Sequence, residues 1–409
     1  MLLHFRLPDN LYSCNCIFIM CHKIPSVALF IQGVRHYERE LLRGIADYAK
    51  LHGPWQFYRN VPSLFGQMAD PKTLLRQWRP DALVIRESSP HRYDDLLGTS
   101  LPVIYSPTTE CSTKVPNIVV NDLVAGQLAA EHLHQAGLRH FAYCGVQTFF
   151  WSRLRGDGFA ARIRALGGEL SRFETTEGRE FFGWDKSHQI FSTWLKQLPK
   201  PVGIFCCTDD FALLVQEACL AADLRIPDEV ALIGVGNDES ICDLAQVSIS
   251  SVQLNIRRGG YDAARYLAGR FEAGQNYRQV PRDVVIEPTS VVARPSTDAA
   301  QSRDPEVGKA IAYIRKHLQR KLNVEDVVHE VSVSRRRLYD RFKAVTGMSL
   351  FSYIQDRRLE AFARMLLETE RTVAEIAYAM GEHSETNVAR LFKTRYGMTP
   401  VAYREKHQL

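Results

Sequence analysis

"VSVSRRRLYDRFKAVTG" (Val331–Gly347) returns fifty residues later as "GEHSETNVARLFKTRYG" (Gly381–Gly397). Phe342 pairs with Phe392, Gly347 with Gly397, Met348 with Met398, Ser349 with Thr399 and Tyr353 with Tyr403, all at that one offset. In the first copy "NVEDVVHEV" has the period of an amphipathic helix, Val333 and Ser334 stand at a turn, and "SRRRLYDRF" starts a second helix. Leu338 and Phe342 are four apart, share a face and point inward. Arg336, Tyr339, Asp340 and Lys343 then fall on the outer face. In the second copy "TVAEIAYAM" supports, Gly381 turns and "SETNVARLFK" reads. Val388 and Phe392 point in. Thr386, Asn387 and Arg390 point out, with Lys393 one turn on and Glu385 near the helix start. "LEAFARMLLETE" links the copies. Two helices joined by a tight turn, the second polar on its outer face, make a helix-turn-helix whose second helix fits the major groove. An ordinary helical hairpin explains one such pattern; it does not explain the same positions matched twice. Two units in tandem suit successive major-groove segments about 34 Å apart on one face of DNA.

Charge points the same way. Of 51 basic and 46 acidic residues, 19 and 14 lie between Asp304 and Leu409, leaving 32 of each elsewhere. A neutral body therefore carries a basic tail suited to a polyanion, here double-stranded DNA. Within the basic head, Arg336 faces outward and suits a guanine edge, whereas Arg335 and Arg337 flank it and suit phosphates.

At 409 residues the chain is long enough for two or three domains. No apolar run reaches the roughly 18 residues of a membrane span. "CNCIFIMC" (Cys14–Cys21) is too short for a signal core and lacks a basic lead-in and a cleavage site, so no export and no membrane partner are expected. The nine cysteines are odd in number and contain no C-x-x-C pair. That favours reduced thiols in the cytoplasm, buried as small hydrophobes. No metal and no cofactor is called for.

Residues 1–23 show no sustained period and read as a disordered leader, or as sequence ahead of a start at Met20. From there to about Pro295, short apolar runs alternate with amphipathic stretches. The runs are "SVALFI", "DALVI", "PVIYS", "NIVV", "HFAYCG", "VGIFCC" and "VALIGV". The pattern implies βαβ units and parallel sheet, and its length implies two lobes with a cleft between. "RPSTDAAQSRDP" (Arg294–Pro305) is a polar linker, after which only helical periods occur. The expected organisation is a leader (1–23), a two-lobed sensor (24–296), a linker (297–304) and an all-α DNA-binding domain (305–409).

In open parallel sheets ligands sit at the carboxyl ends of strands. Asp122 follows "NIVV", Asp209 and Asp210 follow "VGIFCC", and Asn237 and Asp238 follow "VALIGV". Sugars need carboxylate and amide acceptors, an arginine for hydroxyls and a flat aromatic for a C–H face. Trp151 and Arg155, four apart, suit the last two needs, and Tyr37 and Arg39 open the first helix. Each strand-end Asp is equally a helix cap, and Trp151 is equally a lobe-packing residue.

The tail resembles the AraC/XylS family DNA-binding domain: "GMTPVAYR" (Gly397–Arg404) matches that family's late signature. Glu382 stands where an aromatic is usual and Val388 where Phe is usual, so the second copy is expected to pack more loosely and bind more weakly. The body resembles the LacI-type, periplasmic-sugar-binding core. The likeness runs through "NIVVNDLVAGQLAAEHLHQAGLRHFAYCG", "RLRGDGFAARIRALG", "TDDFALLVQEACLAADLRIPDEVALIGVGNDE" and "VIEPTSVVARPST", in that order. "YERELLRGIADYAKLHGPWQF" resembles the xylose-operon regulators, which join these two parts. The resemblance implies an α/β two-lobed periplasmic-binding-protein-like sensor and a C-terminal domain with two helix-turn-helix motifs. It implies Arg155 as a ligand contact, a small sugar effector with xylose foremost, a homodimer, and an encounter with RNA polymerase. "GVGN" (Gly234–Asn237) departs from the family's "G-[FYI]-D-[DN]", so Asn237 or Asp238 is left to substitute for a carboxylate, or the sugar is another one.

Two other classes find little footing. A phospho-receiver needs an acidic pair after its first strand, where this chain has Gln32 and Gly33. A catalytic body is not signalled, because no G-x-G-x-x-G follows a strand and no H-E-x-x-H or G-x-S-x-G occurs.

Overall fold

The computed structural model describes residues 24–60, 70–87, 92–176, 184–273, 282–298, 304–369, 371–382 and 384–407. The leader expected over 1–23 lies outside them.

The first lobe is built on a four-stranded parallel sheet in the order β2-β1-β3-β4. Its strands are β1 (Ser26–Phe30), β2 (Gln56–Arg59), β3 (Ala82–Arg86) and β4 (Val103–Ser106), flanked by α1 (His36–His52) and α2 (Pro71–Trp78). β1 is buried at every position, the signature of a strand covered on both faces. β5 (Ile118–Val120) then leads out of the lobe into α3 (Asp122–Gln135).

The second lobe carries a six-stranded sheet in the order β12-β10-β9-β8-β6-β7. It is formed by β6 (His140–Val146), α4 (Phe150–Ala165), β7 (Glu169–Thr175), α5 (Trp184–Gln197), β8 (Val202–Cys206), α6 (Asp209–Ala221), β9 (Val230–Val235), α7 (Glu239–Cys242) and β10 (Ser250–Leu254). The chain returns to the first lobe through α8 (Ile256–Ala273) and β11 (Val284–Ile286), which pairs parallel with β5. It crosses once more into β12 (Pro288–Val292), the one antiparallel edge strand. All pairings but that one are parallel, as the alternating sequence pattern predicts.

Three crossings thus join the lobes, and they are tied at one level. The Asn121 amide donates to Ile286 O at 2.9 Å, and its Nδ2 to Glu287 Oε2 at 2.9 Å. The Asn255 amide donates to Glu287 O at 3.1 Å. A few residues at element ends that absorb rotation are what a hinge requires.

α3 and α4 touch backbone to backbone. A Cβ on Gly126 would meet Arg155 O at 2.2 Å, and one on Gly158 would meet Leu123 O at 2.1 Å. These glycines set how far the side chains of α3 and α4 stand from one another. Cys144, Cys206, Cys207, Cys219 and Cys242 are buried and free, and Cys111 is exposed and free.

The tail is helical: α9 (Pro305–Lys316), α10 (Val324–Glu330), α11 (Arg335–Thr346), α12 (Leu350–Glu368), α13 (Val373–Ala379), α14 (Glu385–Tyr396) and α15 (Pro400–His407). It has two small cores, one per copy. Leu338 and Phe342 anchor the first, Val388 and Phe392 the second, and α12 contributes to both. Asn323 with Asp326 and Thr372 with Glu375 close capping boxes at the starts of α10 and α13. Gly347 and Gly397 end α11 and α14 in the left-handed region at the same φ of 74°, which a side chain would oppose.

The tail is fastened to the body. Arg315 Nη1 holds Asp298 Oδ2 at 2.7 Å, and His132 Nε2 lies 2.8 Å from Thr297 Oγ1. Burial between the parts, with Arg357 and Arg315 beside it, pushes His132 down to about 3. A cavity of about 50 Å³ remains between β12 and the Arg315, Arg357 and Glu360 side chains. At the other end of the tail, Asn255 Nδ2 donates to His407 O. One attachment is therefore to the second lobe and the other to the hinge itself.

Candidate functional sites: a cleft and a paired reading face

Four of the expected cleft residues converge. Asp122 begins α3 after the β5 crossing, and Arg155 lies on α4. Their backbones are held close by the glycine contacts, and Arg155 Nε meets Asp122 Oδ1 at 2.7 Å. Arg155 Nη1 also donates to Cys207 O at 2.6 Å, at the end of β8. Both side chains are buried, 6% and 1% exposed, so each needs the other's charge. Asp122 Oδ2 is buried with no partner. Burial lifts the Asp122 carboxyl to about 6 against the pull of Arg155. A buried acceptor oxygen beside a buried guanidinium is what a sugar hydroxyl pair requires. Trp151 lies over Arg155 at 4.9 Å and stacks on Phe149 at 5.3 Å, with its indole N–H unpartnered.

Tyr37 reaches this pair from the first lobe. Its hydroxyl lies 3.2 Å from Ser106 Oγ. Burial raises its pKa, with Arg86 and Arg155 opposing and Asp122 adding to the rise. Arg86 stands with its guanidinium 4.8 Å from the Tyr37 ring centre. Arg86 and Ser106 end β3 and β4 and lie opposite each other in the register. Neither was singled out in the sequence. The strand-end rule reaches both, since "DALVI" and "PVIYS" end at or next to them.

Asp209, Asn237 and Asp238 are instead held by groups of the second lobe. Asp209 Oδ1 accepts from Ser251 Oγ at 2.5 Å and Oδ2 from the Asp238 amide at 2.9 Å. Burial raises the Asp209 carboxyl to about 6. Asn237 Nδ2 donates to Gln253 Oε1 at 2.7 Å, and its Oδ1 accepts from Arg294 Nη1 at 2.8 Å. Asp238 caps α7 by accepting from the Ser240 amide at 3.1 Å. For Asp238 the capping alternative is realised. The three residues knit the ends of β9 and β10 to the start of α6.

Two ion pairs cross the cleft mouth: Arg35 to Asp210 at 3.8 Å and Arg39 to Asp238 at 3.5 Å. Both are partly solvated, so each is worth no more than about 1 kcal/mol.

On the tail, Ser334 starts α11, and Arg335, Arg336, Arg337, Asp340 and Lys343 are exposed. Arg335 is occupied: it pairs with Glu325 Oε1 at 2.8 Å and lies 5.5 Å from the Tyr339 ring centre. Arg336 and Arg337 have no carboxylate in ion-pair range among the described residues. Tyr339 does not stand free on the outer face; it is half-buried and packs against the first core, because its ring covers the edge of that core beneath Arg335. On α14, Glu385, Thr386, Asn387, Arg390 and Lys393 are exposed, with Arg390 Nη2 donating to Asn387 Oδ1 at 3.1 Å.

The looser packing expected of the second copy is not found. Val388 is buried and Phe392 fully so. Glu382 accepts from Arg358 Nη2 at 2.6 Å, and the same nitrogen donates to Met380 O at 2.7 Å. Arg358 is itself buried and also reaches Arg320 O. The acidic residue therefore closes a buried network where an aromatic would have filled space.

Residues 130–297 match the model of a periplasmic binding protein-like domain, and residues 327–406 that of a helix-turn-helix domain. Over 393 residues the chain is 27% identical to the xylose operon regulatory protein of Haemophilus influenzae, spanning 94% of this chain and 99% of that one. The protein of the same name from Escherichia coli K12 is 25% identical, over 93% of this chain and 96% of that one. Among solved structures, a xylose-binding transcription activator overlays 95% of this chain and 100% of its own at TM-score 0.58 and 23% identity. A periplasmic binding protein/LacI transcriptional regulator from Alkaliphilus metalliredigens, complexed with D-xylulofuranose, overlays 67% of this chain and 99% of its own at TM-score 0.52 and 18% identity.

Proposed function

We infer that this chain, a periplasmic-binding-protein-like sensor joined to a tandem helix-turn-helix domain, is a sugar-responsive DNA-binding transcription regulator. One observation carries the reading: a cleft floored by a buried Arg155–Asp122 pair and a doubled helix-turn-helix with an arginine head share one chain and one hinge.

In this reading the sugar places hydroxyls on Asp122 Oδ2 and Arg155 and a C–H face on Trp151. Tyr37 and Arg86 come to it from the first lobe. Closure turns the three crossings at Asn121, Asn255 and Glu287. The His407 carbonyl rides on Asn255 while Arg315 stays bolted to Asp298, so closure shifts the second copy against the first. The two reading helices then meet, or miss, successive major-groove segments. Two such chains form a homodimer over adjacent half-sites in the cytoplasm, within reach of RNA polymerase. The relatives that match over nearly the whole length bear the name of xylose, so xylose and its close derivatives are the first effectors to try.

Ser334, Arg336, Arg337, Lys343, Thr386, Asn387, Arg390 and Lys393 carry the DNA contacts in this reading. Arg335, held by Glu325, joins them by exchanging that partner for a phosphate. Asp340 and Glu385 accept from cytosine amino groups or repel wrong placements.

Calorimetry against a panel of pentoses, hexoses and their acid and phosphate derivatives tests the sensor. Selection of bound sequences from a random duplex pool tests the reader. Heat with one ligand class and an enriched motif are expected. No heat with any of them, together with no enriched sequence, removes the reading.

A further inference from the structure

Four arginines around the cleft have a carboxylate partner among the described residues, and Arg86 does not. Arg155 has Asp122 at 2.7 Å, Arg35 has Asp210, Arg39 has Asp238, and Arg294 has Asp243 at 2.8 Å. Arg86 has no carboxylate within 4.0 Å among the described residues. Its Nη1 donates only to neutral oxygens: Ser106 O at 3.3 Å, Ser106 Oγ at 3.1 Å and Pro107 O at 2.6 Å. The adjoining carboxylate, Glu87, is already spoken for. It accepts from the Thr108 amide at 2.5 Å, the Thr109 amide at 2.7 Å and Thr109 Oγ1 at 2.7 Å.

Arg86 is also fixed in place. It is half-buried at the carboxyl end of β3, stacked on Tyr37 and pinned through one nitrogen. The remaining donors of its planar fork stay available, and the Tyr37 hydroxyl beside it also feels Arg155 from the other lobe. The cleft carboxylate Asp122 is paired with Arg155, which leaves Arg86 unanswered. In the loop after β9, Gly236 has no side chain and Asp238 is already engaged by Arg39 and by the Ser240 amide. A guanidinium left in a partly dried cleft favours a ligand that brings the missing charge.

We propose that the effector is a sugar acid, a pentose- or hexose-sized molecule whose carboxylate is received by Arg86 while its hydroxyls engage Asp122 and Arg155. The proposal rests on the sugar-gated reading and narrows it from sugars at large to their oxidised forms. A carboxylate fits the case better than a phosphate, because one planar fork matches two coplanar oxygens and a single charge is unanswered.

The test is calorimetry on the full chain at fixed ionic strength. Its probes are xylose, xylonate, glucuronate and xylose 5-phosphate, against wild type, Arg86→Met and Arg86→Lys. Thermal melting accompanies each variant to confirm folding. One of the two acids should bind wild type at least about tenfold more tightly than xylose. Arg86→Met should lose that margin by weakening the acid much more than xylose, and Arg86→Lys, which keeps the charge without the fork, should fall between. Xylose binding as tightly as the acids overturns the proposal and leaves the sugar reading standing, and so does equal loss of both ligands in Arg86→Met. Tightest binding of the phosphate overturns the choice of carboxylate. Binding of none of the four overturns the proposal, and the wider panel then decides the sugar reading. If Arg86→Met does not fold, the Arg86→Lys margin decides by the same criterion.

Discussion

The two helix-turn-helix copies are alike inside and unlike outside. Phe342 and Phe392 are both fully buried, and Gly347 and Gly397 share one backbone conformation. Yet α11 opens with Arg335, Arg336 and Arg337, whereas α14 opens with Glu385, Thr386 and Asn387. The inequality of the copies therefore lies in what they present to DNA, with their packing equally closed. The anchoring phenylalanines and closing glycines are kept in both copies while the exposed starts of α11 and α14 differ, because a core position tolerates fewer residues than an exposed one.

The largest effect should come from breaking either core. Phe342→Ala and Phe392→Ala should each cost about 3–5 kcal/mol in denaturant unfolding of the helical tail. Their near-equality is the point: a second-copy cost below half the first would restore the idea of a loosely packed second copy. Arg358→Ala should follow at about 3 kcal/mol, because it strands Glu382 and two backbone carbonyls. Glu382→Gln, which keeps the hydrogen bond, should cost much less.

On DNA the two copies should differ, the first contributing more than the second. Arg336→Ala should lose about 1–3 kcal/mol on the preferred site and little on random duplex, which relaxes specificity. Arg337→Ala should weaken both and lower the salt slope by about one. Asn387→Ala should cost less than Arg336→Ala in competition assays. Equal losses on site and random DNA for Arg336→Ala contradict its role as a base reader.

The smallest effect concerns the joint. His132 stays neutral in the folded protein, its pKa held far below the ordinary value by burial. Below about pH 6.5 the unfolded chain takes up a proton that the folded chain refuses, so this contribution is present at neutral pH and is lost as pH falls. The stability gap between wild type and His132→Gln should narrow as pH falls from 7 to 5. Asp122 and Asp209 act in the opposite sense. Their raised carboxyls favour the folded state at low pH, an advantage lost as pH rises through about 6.

The architecture was legible because each of its periods is strong: parallel strands read as apolar runs, and the doubled motif as an offset of fifty. The cleft was legible in part. Asp122, expected from its place after a strand, lies against Arg155, and Trp151 lies beside Arg155 as their four-residue spacing implies. Asp209, Asn237 and Asp238 obey the same logic but are engaged by Ser251, Gln253, Arg294 and Ser240, and nothing in their spacing distinguishes a ligand group from a cap. Arg86 was passed over because a lone charged residue after an apolar run carries no local signal. What singles it out is that its neighbours have partners, a property of three-dimensional pairing. Glu382 misled for the same reason: its partner, Arg358, lies 24 residues away.

The claim that joins body and tail is thermodynamic: a ligand in the cleft and DNA on the tail must change each other's affinity by the same factor. The direct measurement is operator affinity of the full chain with and without saturating effector, paired with effector affinity with and without operator. The account predicts a reciprocal shift of roughly 5- to 150-fold, strongly reduced in Asn255→Ala, which cuts the hinge from His407. Tight binding of both ligands with no mutual effect would contradict it.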